Sequence, residues 1–299
     1  MAIILAMLIW AGAGIAVKEA LILFNPLTLI VLRFTIAVIL MLCVGLIFRS
    51  NEILGLQRAE KKDIPIFLLG GILQPFLYFI FETYTYQSFS SPTIAEAMLS
   101  MQPVLAPIFA FILLREHITR NNIIGILLST IGVLILLLVG AEDFALGNPW
   151  GILLAFLTVS MSVGYSIVLR RIPAKYSPLT IVLYVQSISL ILFYIIWGIF
   201  DKQPLLHHTT PYYTILHHTT PLLSVLYLAI FASVAAFILF CYTVRQIGVT
   251  RANLFNNIRP VFTALLMLLI FNEQLPVWKW IGIIIIIIGL FISQKQRKV

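Results

Sequence analysis

Long runs of apolar residues recur along the chain, and only short polar stretches separate them. Each run is close to the roughly 20 residues that an α-helix needs to cross about 30 Å of hydrocarbon. The run at residues 281–288 shows no alternation of polar and apolar positions, which excludes the strands of a membrane β-barrel. We therefore predict an all-α integral membrane protein with ten transmembrane helices, at residues 2–24, 26–48, 63–86, 92–114, 121–140, 149–170, 178–200, 221–244, 250–271 and 277–293.

The second half of the chain repeats the pattern of the first. Matches at a constant offset indicate an internal repeat, and such a repeat determines the architecture. We predict two repeats of five helices, at residues 1–145 and 146–299. Because five is odd, the second repeat must enter the membrane from the opposite side, which makes the fold an inverted 5+5 repeat. The matched pairs are Pro103 and Pro260, Glu116 and Glu273, Gly125 and Gly282, and Gly132 and Gly289 at an offset of 157, and Gly12 and Gly164, Lys18 and Arg170, and Pro26 and Pro178 at an offset of 152.

Positive charge is distributed unevenly over the loops. Lys and Arg collect on the cytoplasmic side of membrane proteins, and fourteen of the 19 basic residues fall in alternate loops and the C-terminal tail. This pattern predicts that both termini are cytoplasmic. The chain is 61% hydrophobic and has a net charge of +8. Contact with anionic lipid explains that charge, so the lipid bilayer is an expected partner and nucleic acid is not.

Short motifs in the apolar runs resemble those of one family of membrane proteins. The motifs are Trp10-Ala11-Gly12, Leu32-Arg33-Phe34, and the block of Pro103-Val104, Arg115-Glu116 and Ile124-Gly125. Together with the ten spans and the duplicated halves, they are similar to the EamA-type proteins of the drug/metabolite transporter superfamily along the whole chain. The resemblance implies export of small metabolites, often amino acids, across the bacterial inner membrane. It also implies a central cavity lined by the first four helices of each repeat.

The inverted repeat favours transport on physical grounds as well. Two inverted copies give two nearly equivalent conformations, one open to each side of the membrane, with the substrate site between the copies. The sequence has no GxxxxGK[ST] phosphate-binding loop, so a gradient, with protons as one candidate, must drive transport. We therefore predict a secondary active transporter of a small-molecule substrate, a monomer or homodimer without a cofactor, and not an enzyme. A sugar-nucleotide carrier of the same superfamily, a membrane enzyme and a lipid-handling protein are the alternatives.

A ten-residue duplication places four histidines in the loop at residues 206–221. Metal binding is one interpretation of these histidines. Because no cysteine or second set of ligands accompanies them, we prefer a local duplication in a tolerant surface loop. No metal site is therefore predicted.

Charged residues inside the apolar runs are the first candidates for the transport site, because they are costly in hydrocarbon. At about 1.5 Å of rise per residue, Arg33, Glu82 and Glu96 fall in one layer below the outer surface. Two interpretations stay open for Arg33 and Glu82: an ion pair that fixes the register of their helices, or groups that act in transport. Glu96 is either a cavity residue or the first residue of a helix, where a carboxylate complements the helix dipole.

Glu82 lies between two tyrosines at a spacing of four residues. This spacing places Tyr78, Glu82 and Tyr86 on one face of a helix, as a carboxylate between two phenols. We predict that this face forms a wall of the cavity. Its carboxylate would bind an amine of the substrate or exchange a proton in each transport cycle.

The second repeat carries different polar residues at the matching positions. Asn253 stands where the first repeat has Glu96, and Arg259 stands where it has Gln102, with Asn256 on the same helical face as Arg259. Arg259 lies near mid-membrane, where its guanidinium would hold a substrate carboxylate with two hydrogen bonds. Pairing with a membrane glutamate is the alternative. We expect the recognition of an asymmetric substrate at these mismatches between the repeats.

Pro103 and Pro260 occupy matching positions inside apolar runs. A proline deprives the carbonyl four residues earlier of its donor and kinks the helix. At this depth protein or a water-filled cavity must satisfy that carbonyl, so both prolines are predicted to mark the cavity, with a simple packing kink as the alternative. Trp10, near the middle of the first helix, is interpreted either as a packing residue or as a surface on which an aromatic cargo stacks.

Overall fold

The computed structural model describes residues 1–89, 95, 98–99, 102–115, 118–138, 149–200, 219–271 and 276–294. Regular structure within these ranges is helical, with no strand, as the sequence predicts. The helices in this part of the chain are α1 (Ala2–Ala20), α2 (Pro26–Ile47), α3 (Lys61–Ser88), α4 (Gln102–Leu114), α5 (Arg120–Leu138), α6 (Pro149–Arg171), α7 (Pro178–Phe200), α8 (Thr219–Ile247), α9 (249–271) and α10 (Val277–Gln294). Six of them, α1, α2, α3, α6, α7 and α8, are long and apolar enough to cross a membrane, and α4, α5 and α10 contain shorter apolar helices.

The outer surface of the bundle is apolar, and polar side chains lie inside it. Ile47, Ile112 and Leu223 are among the large apolar residues that are well exposed, whereas Ser166 and Gln186 are completely buried. A water-soluble domain places its polar residues outside, so lipid is the solvent of this surface. Together with the apolar spans, the arrangement shows a multi-pass membrane protein.

Prolines and one glycine set the ends of several helices. Pro26, Pro149 and Pro178 are the first residues of α2, α6 and α7, where the missing N–H is not needed and the fixed φ of proline suits a helix. Gly248, with a φ of 86°, ends α8, and only glycine adopts such a backbone without steric cost. The predicted spans 26–48, 149–170 and 178–200 consequently agree with the observed helices to within about one residue.

Three helices are interrupted along their length. The interruption in α9 lies directly before Pro260, where the sequence predicts a kink. Residues 100 and 101 lie outside the described residues, so the kink at Pro103 stays a prediction. The interruptions in α3 and α8 are not among the sequence predictions, which treat both as continuous spans. The interrupting segments are Ile72–Leu77 in α3, Leu228–Ala235 in α8, both π-helical, and the 3-10 segment Phe255–Ile258 in α9.

Helices α5 and α10 run antiparallel and pack through glycines. A Cβ atom on Gly125 would lie 2.5 Å from the carbonyl oxygen of Gly289, and one on Gly132 would lie 2.8 Å from that of Gly282. At these distances a side chain would collide with the facing backbone. Glycine at these positions is what allows the two helices to approach so closely. Gly198 on α7, by contrast, would accept a Cβ with nothing within 4 Å. The contact therefore depends on these glycines.

Other helices of the first half also pack against helices of the second half. Helix α1 packs on α8 and helix α6 packs on α3, while α2 packs on α7. Two glycines mark the first two contacts: a Cβ on Gly12 would lie 2.6 Å from the Tyr227 hydroxyl, and one on Gly164 would lie 3.3 Å from Leu73. Helices of the first half thus contact helices of the second half around a common centre.

Candidate functional site

A small cavity lies at this centre, between helices of both halves. Its volume is about 20 Å³, room for about one water molecule. It brings together eight of the ten residues predicted for substrate binding or coupling, since Asn253 does not line it and Glu96 lies outside the described residues. The eight are Trp10, Arg33, Tyr78, Glu82, Tyr86, Gln102, Asn256 and Arg259.

The acidic wall of the cavity is the predicted face of α3. The Tyr78 hydroxyl donates a hydrogen bond of 2.7 Å to Oε1 of Glu82. Glu82 and Tyr86 are both buried and line the same space. The phenol and the carboxylate thus form a hydrogen-bonded polar unit within the apolar bundle, and both residues line the cavity.

Arg33 enters the cavity from α2. Its Nε donates a hydrogen bond of 2.6 Å to the Ser233 hydroxyl, and its guanidinium lies 4.3 Å from the ring centroid of Phe79. Arg33 also interacts electrostatically with Glu82, Tyr78 and Tyr86. The two residues for which the sequence leaves an ion pair or a transport role open therefore share one cavity, and Ser233 and Phe79 fix the position of the guanidinium.

A buried amide network connects α4, α6 and α9. Gln102 Nε2 donates to the Asn253 side-chain oxygen at 2.9 Å and to the Ser162 hydroxyl at 2.5 Å. Asn256 Nδ2 donates to the backbone carbonyl of Asn253 at 3.0 Å. Because low local polarity strengthens such bonds and makes an unmade one costly, the network fixes Gln102 of the first half against the interrupted part of α9. Asn253 contributes to the site through this network.

Arg259 and Trp10 also line the cavity. Arg259 is 6% exposed and directly follows the 3-10 segment of α9. Trp10 packs against Phe237 and Phe240, with ring centroids 5.4 and 5.2 Å away, and its indole N–H donates to the carbonyl of Ala232. Trp10 therefore faces the cavity while its one polar group is bound to α8.

A family model provides the first comparison with known proteins. The model described as the EamA-like transporter family matches residues 1–138 and again residues 149–294. The chain belongs to the EamA-like transporter family. The family assignment indicates a transporter rather than an enzyme, as the motifs imply.

Individual relatives of this EamA chain agree with the family model. It is 28% identical to the uncharacterized transporter YetK of Bacillus subtilis, over 89% of this chain and 78% of that protein. It is 24% identical to an uncharacterized transporter of Archaeoglobus fulgidus, over 96% and 95% of the two chains. A known crystal structure matches the fold with a TM-score of 0.77 at 19% identity, covering 98% of this chain and 96% of that chain.

Side chains from α1 and α7 satisfy carbonyls at the helix interruptions of the EamA fold. Pro75 has no N–H, so the carbonyl of Gly71 four residues earlier loses its helical donor, and the Ser189 hydroxyl donates to it at 2.7 Å. In α8, Gln186 Nε2 donates to the carbonyl of Ser233 at 2.6 Å, beside the carbonyl that Trp10 binds. The interruptions are therefore stabilised by specific partners from the neighbouring helices.

Five polar residues at or around the cavity are not among the sequence predictions: Gln74, Ser162, Gln186, Ser189 and Ser233. One of them has a sequence signal, since Gln74 lies four residues before Tyr78 and extends the polar face of α3 by one turn. The other four lie in largely apolar helices, where the sequence alone does not show which polar residues turn towards the cavity. Their partners become visible only once the helices are packed.

A second polar region closes one end of the bundle. Residues 51–60, which we call the strap, connect α2 to α3 and lie across the turn between α6 and α7. The hydrogen bonds between the strap and the second half include Gln57 N–H to Thr180 Oγ1 (3.0 Å), Ala59 N–H to Tyr184 Oη (3.1 Å), Glu60 N–H to Tyr176 Oη (2.9 Å), Leu179 N–H to the Ile53 carbonyl (3.1 Å), Ser177 N–H to Gln57 Oε1 (2.7 Å) and Ser177 Oγ to the Gly55 carbonyl (2.5 Å).

Ion pairs reinforce the strap. Lys175 Nζ lies 2.5 Å from Glu60 Oε1 and 2.9 Å from Asp63 Oδ2, and the Tyr176 hydroxyl donates to Asp63 at 2.7 Å. The hydrogen bond between Lys175 and Glu60 lowers the pKa of the Glu60 carboxyl group and raises the pKa of Lys175. An open cavity of about 650 Å³ beside the strap is lined by Glu52, Arg170 and Arg245 among others. The strap therefore joins the first half to the second around charged groups.

Proposed function

We propose that this EamA-family chain is a secondary active transporter that exports small metabolites such as amino acids by alternating access, with a proton gradient as the driving force. The central cavity carries the proposal, because Glu82 of the first half and Arg259 of the second half line the same small space. Opposite charges on the two halves suit a cargo that carries both an ammonium and a carboxylate group. The two halves would then bind the two ends of one molecule.

The proposed arrangement is ten spans in an inverted 5+5 repeat, with repeats at residues 1–145 and 146–299. Gly125 and Gly282 are matching positions, as are Gly132 and Gly289. Gly125 meets Gly289 and Gly132 meets Gly282, which is the contact pattern of two copies related by a twofold axis. Since α5 and α10 are antiparallel, that axis runs across them, in the membrane plane. Inverted-repeat transporters have this symmetry.

The proposed orientation places the strap in the cytoplasm. The strap contains Arg58, α6 ends at Arg171, and the turn between α6 and α7 contains Lys175. Basic residues collect on the cytoplasmic side. Both termini are then cytoplasmic, in a bacterial inner membrane. In this orientation the docked strap closes the cytoplasmic side of the transporter.

Each proposed transport cycle requires the cavity to expand. A space of about 20 Å³ holds about one water molecule and no metabolite, so helices must separate to admit cargo. Release of the strap would open the cytoplasmic side, and the interrupted helices α3 and α8 are suited to bend because specific side chains bind carbonyls at their interruptions. Pro103 and Pro260 are the proposed hinge positions.

The proposed site residues have separate roles. Glu82, positioned by Tyr78 and next to Tyr86, binds the ammonium group or the coupling proton, and Arg259 binds the carboxylate. Gln102, Asn253 and Asn256 connect the two halves. Trp10 contributes an aromatic wall, Arg33 sets the charge around Glu82, and Glu96 is the proposed counterpart of Asn253 in the first repeat.

An efflux assay tests the function directly. Bacterial cells that overproduce the chain are loaded with a panel of amino acids, organic cations and drugs, and the loss of each compound is compared with that from cells carrying an empty vector. We expect faster loss of at least one amino acid, and its loss should stop when the proton gradient is dissipated. Equal loss of every compound from both kinds of cell would contradict the proposal.

Arg33 gives a sugar-nucleotide carrier a specific observation in its favour. Such a cargo carries phosphates, and the cavity contains Arg33 in addition to Arg259. Arginine is well suited to bind phosphate. Proteoliposomes preloaded with UMP and supplied with a UDP-sugar test this second candidate, and exchange of the two nucleotides would support it over amino-acid export.

A further inference from the structure

Gln74 occupies the interruption of α3 and faces the central cavity. Its backbone is extended, with φ of −151° and ψ of 119°, between helical neighbours. Its side chain lines the cavity and is 4% exposed. The backbone thus departs from helical geometry at Gln74, the residue of this segment whose side-chain amide lies at the cavity wall.

The side-chain oxygen of Gln74 has an unmet hydrogen-bonding requirement. Oε1 is buried and has no hydrogen-bond partner among the residues that the structure describes. Buried polar atoms are nearly always paired, and an unpaired one in a native protein indicates a missing ligand, ion or water. The Gln74 oxygen is therefore an acceptor for a group that enters the cavity.

The surroundings of Gln74 indicate the chemistry of that group. Gln74, Tyr78 and Glu82 follow each other at intervals of four residues and line the same cavity. The Tyr78 hydroxyl already donates to Glu82, so this wall presents a carboxylate and an amide oxygen, both acceptors. A positively charged group with several N–H donors is complementary to both in charge and hydrogen bonding, and a primary ammonium has three such donors.

We propose that Gln74 is a substrate-binding residue whose side-chain oxygen accepts a hydrogen bond from a primary ammonium group of the cargo, while Glu82 supplies the negative charge. The inference rests on the proposed transport function and adds to it the residue that distinguishes an ammonium with N–H donors from one without them. A quaternary ammonium has the same charge, and it leaves the amide oxygen without a donor.

Binding to the full-length protein in lipid nanodiscs tests the inference. The probes are L-leucine and L-phenylalanine, each compared with its N-trimethyl betaine, which keeps the charges and removes every N–H. The ratio of the two dissociation constants is the readout. In Gln74→Leu, which is close to glutamine in volume, we expect the preference for the primary ammonium to fall roughly tenfold, because a hydrogen bond to a charged group is lost. Gln74→Glu retains an acceptor and should keep the preference.

Gln186→Leu is the matched control. Gln186 is also a buried glutamine on a membrane-spanning helix, and its Oε1 likewise has no partner among the described residues, but it is not part of the cavity lining. Its Nε2 donates to the carbonyl of Ser233. This substitution should lower the melting temperature and leave the preference between each amino acid and its betaine unchanged.

The outcomes separate this inference from the proposed function. An unchanged preference in Gln74→Leu would overturn the role of Gln74 and assign its oxygen to a resident water, even if the amino acids are still exported. If neither amino acid binds and only panel compounds without a primary ammonium are exported, the ammonium assignment is overturned and transport stands. If nothing in the panel is exported, the proposed function fails as well.

Discussion

The central cavity and the strap both join the two halves of the chain, and they do so with opposite physical means. At the strap, Lys175 is 39% exposed in its side chain and lies within 3 Å of two carboxylates. In the cavity, Arg33 and Glu82 are almost completely buried, and a serine hydroxyl, an aromatic ring and a phenol surround them. The ion pairs of the strap are thus open to solvent, whereas the charged groups of the cavity are shielded from it.

This difference bears on which contact can open at low cost. Exposed ion pairs contribute little to stability because water replaces each partner readily. A buried charge that loses its partner is strongly destabilising. The ion pairs of the strap can therefore be exchanged for contacts with water at low cost, whereas the cavity can open only when cargo or water supplies the lost interactions. We therefore assign gating to the strap and recognition of the cargo to the cavity.

Glu82→Gln should have the largest effect. Removing the charge from the cavity removes the only carboxylate among its described lining residues, and with it the proposed site for an ammonium group or a coupling proton. Transport driven by a pH gradient in proteoliposomes is expected to fall at least about tenfold, the loss that follows from removing one strong charge-assisted interaction.

Glu19→Gln is the control for Glu82→Gln. Glu19 lies near the end of α1 and belongs neither to the lining of the central cavity nor to the strap, so the same charge is removed outside both regions. It should leave proton-linked transport close to that of the wild type. Unchanged transport in Glu82→Gln would remove the coupling role of Glu82 and reduce the distinction between the two regions.

Arg259→Ala tests the second charge of the cavity. The loss of a bidentate contact to a carboxylate should weaken the binding of an exported amino acid roughly tenfold or more, measured in detergent or nanodiscs. The corresponding amine without its carboxylate serves as the control ligand, and its affinity should stay the same. Arg259→Lys should be intermediate, because lysine keeps the charge and loses the planar fork. Equal affinities of wild type and Arg259→Ala for the amino acid would rule out the contact.

The sequence predicts the outer framework better than the site. Apolar runs determine α2, α6 and α7 almost to the residue, because span length follows from bilayer thickness and prolines start those helices. The sequence also predicts that residues far apart along the chain, such as Arg33 and Arg259, lie near one cavity, because charged side chains in hydrocarbon must face the interior of the protein. Whether each predicted residue binds cargo stays a prediction.

The interruptions in α3 and α8 show where the sequence signal ends. Pro75 marks the first, although the predicted span passes through it. The second, Leu228–Ala235, contains neither proline nor glycine, and its freed carbonyls are satisfied by Trp10 and Gln186 from other helices. The sequence does not predict the docking of the strap either, because its partners Thr180, Tyr184 and Tyr176 come next to the strap only after both halves have folded.

Lys175→Met should loosen the strap by a smaller amount. The measurement is hydrogen–deuterium exchange at the backbone amides of Gln57, Ala59 and Glu60, which donate to the second half. We expect a roughly two- to fivefold loss of protection, in line with the modest energies of exposed ion pairs.

Lys62→Met is the matched control for Lys175→Met. Lys62 lies 2.8 Å from the same carboxylate, Glu60, but both residues belong to the first half, so their ion pair does not bridge the halves. Protection of the three strap amides should stay at the wild-type level. Equal loss of protection in both variants would mean that Lys175 does not hold the halves together.

The strap should respond least to pH near neutrality, which separates it from the cavity. The hydrogen bond from Lys175 lowers the pKa of Glu60, so the contribution of this carboxylate is complete above the ordinary carboxyl range near pH 4 and is lost as the pH falls through the lowered value. The pKa of Lys175 is raised, so its charge persists through the ordinary lysine range and is lost only above it. Protection factors of the strap amides should thus be constant from about pH 5.5 to 8. A pH dependence of transport in that window, with the strap unchanged, then originates in the cavity, whereas parallel changes in both would place the proton-sensitive step at the strap.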